Sequence, residues 1–160
     1  MKARVTVFLI IVISVFIMFR LFFVLNKTIY SNVQMINNSE WLLSDTLTFE
    51  YFNEKPNINH HNIILFGKIN QAYSYANLYL FVDVFFENNK IKRDTLNCVL
   101  YDSFGFPQQK NIGNTQFFKL DYLNTFNFET NKNYTFKIIH GMRDVNLIGI
   151  EKIGIKINKN

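Results

Sequence analysis

Among its 160 residues the chain has one cysteine, two prolines, one tryptophan and six glycines. Each shortage excludes something. Cys98 alone cannot form an internal disulfide, so even an oxidising compartment supplies no covalent staple and the apolar core must carry stability. With three histidines and no cysteine cluster, a zinc site has too few ligands. The glycines form no phosphate-cradling loop, and no serine-nucleophile motif or paired-carboxylate spacing occurs. Strong helix formers are also short: alanine is scarce, whereas Phe, Tyr and Ile abound and aromatics make up 17% of the chain. That balance favours strands.

One long apolar run stands out, in "MKARVTVFLIIVISVFIMFRLFFVLNK". A helix over residues 5–25 is about 30 Å long, the thickness of a hydrocarbon core. Arg20 interrupts the run, at a cost of about 3 kcal/mol. Some fifteen apolar residues at roughly −0.3 to −0.6 kcal/mol each outweigh it, and its stem can snorkel to the headgroups. Lys2 and Arg4 predict a cytoplasmic N-terminus with everything beyond residue 28 on the periplasmic side. No small-x-small cleavage site follows the run, and no cysteine follows it to take a lipid. Residues 1–27 therefore read as a signal anchor with a single transmembrane helix. Setting aside Lys2, Arg4, Arg20 and Lys27 leaves 13 of the 17 basic residues against 12 acidic ones. The basic pI reflects membrane topology, and no nucleic-acid partner is expected.

Residues 28–40 are polar and read as a tether, and residues 41–160 as the folded domain. Strands are expected at 46–52, 63–69, 77–86, 94–102, 116–123, 126–130, 134–140 and 150–158. In 46–52, Leu47, Phe49 and Tyr51 share one face. "NLYLFVDVFF" is apolar on both faces, which places it centrally in its sheet. "ENNK" at 87–90 has asparagines that tolerate positive φ, and Gly67 could mark a bulge. Short, evenly spaced strands with turn chemistry between them predict an all-β fold: an antiparallel β-sandwich, jelly-roll-like, behind one N-terminal transmembrane helix.

His140, Arg143 and Asp144 resemble a base, a cation clamp and an orienting acid. In one inter-strand loop with no nucleophile they read instead as a polar corner, with Arg143 and Asp144 an ion pair or a brace. His60 and His61, adjacent in an extended chain, point to opposite sides. Asp83, between Phe81 and Phe85, needs a partner or open water. Cys98 fills core volume. No enzyme activity, metal or cofactor is expected.

Five stretches stand in order: "EWLLSDTLTFEY", "ANLYLFVDV", "DTLNCVLYDSFG", "NYTFKIIHGMR" and "LIGIEKIGIKI". Together, from Trp41 to Ile157, they resemble the GldH family of gliding-motility lipoproteins of Bacteroidetes-type bacteria. In this chain the family's corner motif is His140, Met142, Arg143, Leu147, Gly149 and Ile150. The resemblance implies a non-enzymatic scaffolding component of the envelope, associated with the gliding and type IX secretion machinery. It supplies no ligand or catalytic residue. The family's lipidated cysteine is missing here, so a helix anchor in the cytoplasmic membrane is expected rather than an outer-membrane lipoprotein. Envelope proteins are the expected partners, through loops 53–62, 103–114 and 140–148. A glycan-binding jelly roll using Tyr73 and Tyr75 is the alternative.

Overall fold

Alternation of apolar and polar residues sets most of the architecture seen in the computed structural model. It describes the backbone of residues 2–25, 28–54, 60–109 and 111–159, with the side chains of 2–8, 22–25 and 112 left aside. The loop expected at 53–62 thus falls partly outside the described residues.

The chain begins with helix α1 (Lys2–Leu25). Its described side chains, residues 9–21, are all exposed. Among the described residues no helix is long and apolar enough to cross a membrane. The fold therefore lends the expected transmembrane anchor no support of its own.

Next come β1 (Thr28–Met35), a short 3₁₀ turn (Asn37–Ser39), β2 (Glu40–Leu42), β3 (Leu47–Asn53), β4 (His61–Asn70) and β5 (Asn77–Phe86). They are followed by β6 (Asn89–Val99), β7 (Asn111–Ile112), β8 (Thr115–Phe126), β9 (Lys132–His140), β10 (Asn146–Ile148) and β11 (Ile150–Lys159). Every pairing is antiparallel. One sheet has the order β1-β11-β4-β8-β7, the other β3-β9-β5-β6, and β10-β2 forms a two-stranded ribbon. The long strands change sheet at each connection except the β5–β6 hairpin, which is the winding of a jelly roll.

The inner faces meet as expected. Leu78, Leu80, Val82 and Val84 of β5 have no exposed surface, and neither do Ile153, Ile155 and Ile157 of β11 or Phe136 and Ile138 of β9. Each such side chain stabilises the fold by about 1.5–3 kcal/mol relative to exposure. β5 is a central strand, flanked by β9 and β6. The β5–β6 turn sets Glu87 and Asn88 at φ 46° and 69°, the twist that suits a two-residue hairpin.

Three expectations need correction. Residues 28–35 are an edge strand rather than a tether, paired with β11 from Thr28↔Asn158 to Met35↔Lys152. Its composition is polar because one edge faces solvent, while Ile29 and Tyr30 still pack on the core. The sandwich therefore begins at residue 28. Residues 126–130 add no further strand, since β8 ends at Phe126 and Phe128 plugs the core. Gly67 makes no bulge, for the β4–β8 register runs unbroken from Ile64 to Asn70. A Cβ there would lie 2.5 Å from the Phe118 ring and 2.7 Å from the Lys152 carbonyl oxygen. Close packing explains the glycine.

The strands give the body two ends. Thr28, Asn53, His61, the Glu87–Asn88 turn, the 127–131 connection and Lys159 lie at one. The segments 36–46, 71–76, 100–109, 111–114 and 141–149 lie at the other.

Candidate functional site

The polar cluster singled out at 140–144 lies at the second end, and its members part company. His140, the last residue of β9, has no exposed surface. Its ring meets Trp41 edge-on, with centroids 5.4 Å apart. Neither ring nitrogen reaches hydrogen-bonding geometry with a described group, although the Trp41 backbone lies near. Burial lowers its pKa, with opposing upward pulls from that backbone and from Asp144. A neutral, wall-packed imidazole is a core residue. Arg143 is exposed and makes no ion pair with Asp144. Asp144 Oδ2 instead accepts a 2.6 Å hydrogen bond from Tyr75, which raises the Tyr75 pKa. Asp144 is a loop brace, and nothing in the cluster converges on one point.

What the corner residues do is hold backbone. Leu147 of β10 pairs with Trp41 of β2, both almost fully buried, and the Trp41 indole N–H donates to the Asp45 carbonyl at 3.0 Å. Gly149 has φ +94°, and a Cβ on it would sit 2.4 Å from the Tyr73 nitrogen. Its N–H donates to the Ser39 carbonyl and its own carbonyl accepts from Asn70 N–H, so it locks two loops at once. Met142 offers its sulfur to the Tyr79 N–H at 3.3 Å.

Other candidates take equally definite positions. His60 Nδ1 lies 2.8 Å from Asn127 Oδ1, whereas His61 is buried against Phe128 with ring centroids 5.2 Å apart. The alternation expected of neighbours in a strand holds. Among the described residues no group of three His, Cys, Asp or Glu side chains is placed to hold a metal. Asp83 lies on the outer face of its sheet, bound by Lys90 Nζ at 2.8 Å and Arg93 Nε at 3.1 Å. Cys98 is 1% exposed, and burial pushes its thiol up to about 11. Tyr73 is buried and donates to the Asn77 carbonyl at 2.7 Å. With Tyr75 engaged by Asp144, the two tyrosines form a brace rather than an open stacking platform. A groove of about 610 Å³ on the outer face of the five-stranded sheet is walled by Ile64, Phe66 and Phe117, with Lys156 at its edge.

Sequence reasoning missed the most distinctive feature of this end. Residues 101–107 form a tight hairpin closed by a Tyr101↔Pro107 bridge. Asp102 Oδ1 accepts from both the Phe104 and Phe106 N–H groups at 2.9 Å. Asp102 N–H donates to the Phe106 carbonyl, and Gly105 N–H to that of Asp102. The two phenylalanines are left 84% and 67% exposed. The signal was present as "DSFGFP": an aspartate two residues before a phenylalanine, then glycine at the position that needs φ +82°.

The sequence profile of the GldH lipoprotein family matches residues 28–157, the sandwich but for the last two residues of β11. No curated protein matches the chain. Solved structures give loose likenesses. The delta-endotoxin Cry8Ea1 of Bacillus thuringiensis is 11% identical at a TM-score of 0.39, over 76% of this chain and 19% of the toxin. Latent PorU of Porphyromonas gingivalis is 11% identical at 0.38, over 81% of this chain and 13% of that one. The CBM36-1 domain of a xylanase from the hindgut metagenome of Trinervitermes trinervoides is 12% identical at 0.37, over 81% and 88%. The chain thus spans a fifth or less of the first two, and likenesses this loose carry no argument.

Proposed function

Since the chain belongs to the GldH lipoprotein family, we propose that it is a non-enzymatic scaffolding component of the cell envelope, serving the gliding and type IX secretion machinery. The family match over residues 28–157 carries this reading. Its N-terminal run, free of acidic residues and led by Lys2 and Arg4, acts as the anchor in the cytoplasmic membrane in place of the absent lipid-bearing cysteine. The sandwich then stands on the periplasmic side, joined at its Thr28 end. The loops at the opposite end meet other envelope proteins. Support for a binding role over catalysis comes from the 140–144 cluster, whose side chains are spent on the core, on a brace and on solvent.

Fractionation with added protease tests the placement. We expect the full chain in the cytoplasmic-membrane fraction, its domain digested once the outer membrane is opened. Recovery in the outer membrane, in the cytosol, or as a mature chain starting near residue 22 overturns it.

A further inference from the structure

We infer that the Tyr101–Pro107 hairpin is a preformed two-ring plug for an apolar cleft, rimmed by lysine or arginine, on a partner protein. This deepens the scaffolding reading and rests on it. The rings of Phe104 and Phe106 are among the most exposed large apolar side chains of the sandwich. Together they offer on the order of 300 Å², comparable with the largest apolar patch of an ordinary monomer.

Exposure of this kind in a floppy loop would mean little, but this loop is closed on itself. The Asp102 carboxylate takes two backbone N–H groups. The base of the hairpin is fixed by Leu100 and Tyr101 N–H donating to the Ala76 carbonyl at 2.9 and 3.0 Å, and by Gln108 N–H donating to the Leu100 carbonyl at 2.8 Å. Both rings are held out before any partner arrives, so little ordering entropy opposes binding. Aromatic anchors entering pockets are the groups that dominate interface energies.

Charge selects among the occupants. In sequence, the segments 36–46, 71–76, 100–114 and 141–149 carry four carboxylates, Glu40, Asp45, Asp102 and Asp144, against two cations, Lys110 and Arg143. An acidic rim repels an anionic bilayer, which amphipathic surface binders engage with basic residues. It equally repels a second copy of itself. The end also lies a strand's length away from Thr28, roughly 30 Å, so it does not reach the membrane that holds the helix. A protein with a basic rim around an apolar cleft fits both terms.

The test places a photo-crosslinking phenylalanine analogue at position 104 of the full chain in cells, and a second at position 52 on the opposite half as control. The expected result is a discrete protein adduct from 104. It should fall roughly tenfold or more in F106S, shrink with added salt, and be competed by a cyclised peptide of residues 101–108. F106S should melt at the parent's temperature, since the ring is exposed. An adduct of twice the chain mass, a lipid adduct, an adduct indifferent to F106S and peptide, or no adduct at 104 overturns the inference. Adducts from 52 alone would sink the plug while leaving a scaffolding role standing.

Discussion

Gly149 shows how much one residue can fix. At φ +94° with Tyr73 backbone 2.4–2.7 Å from where its Cβ would lie, alanine brings both left-handed strain and a backbone clash. Gly149→Ala should cost about 3 kcal/mol or more and lower the melting temperature by roughly 10 °C. An unchanged melting curve would mean that the 36–46 and 70–76 loops are not held through this position. His140 gives a pH signature. Burial holds its folded pKa below the ordinary value of 6.5, so the unfolded chain takes up the proton first. Its contribution is complete above about pH 6.5 and declines as pH falls from there toward the folded pKa. His61 acts in the same sense. Chemical denaturation between pH 7 and 5 should therefore show falling stability, with a shallower slope in His140→Phe. Equal slopes in parent and variant would contradict the buried-neutral assignment. The sequence marks His140 as unusual but cannot tell a base from a core residue. Only the strand register, which points its ring at Trp41, decides that.

Among the elements, β1 is the one whose nature the residues conceal. "TIYSNVQM" has little periodic apolarity, because an edge strand beside β11, whose inner face is already apolar, needs only Ile29 and Tyr30 to dock. β5 and β9 are legible for the opposite reason: both bury an unbroken alternating face. The β2–β10 ribbon is three residues on each side, too short for any pattern to stand above chance. The Asp102 hairpin depends on side-chain-to-backbone bonds that hydrophobic periodicity does not sense. Removing residues 1–35 should thus cost far more than cutting a tether. It bares the β11 edge beside Ile153, Ile155 and Ile157 and should lower stability in urea by about 3 kcal/mol or more. A midpoint equal to that of a chain starting at residue 28 would return β1 to the status of a linker.

At the scale of the molecule, the two ends divide the work: one continues into α1, the other gathers the braced loops and the exposed phenylalanines. Class and winding were readable from strand spacing and turns, and family membership from five ordered motifs. The proposed contact face was only half visible, since Tyr101 and Asp144 are far apart in sequence and are tied together only through the 71–76 segment, by Tyr101–Ala76 and Tyr75–Asp144 hydrogen bonds. If the proposed function holds, this far end is covered in the cell while the helix-bearing end is not. Cys98, buried and with its thiol raised to about 11, stays silent to thiol reagents at neutral pH. Single cysteines can therefore be placed at Ser74, Ser103 and Val145 on one end and at Asn88 and Asn127 on the other. Labelling rates in cells whose outer membrane has been permeabilised, compared with the purified chain, should be strongly reduced at the first three positions and equal at the last two. Equal labelling at all five, or protection confined to Asn88 and Asn127, would contradict the account.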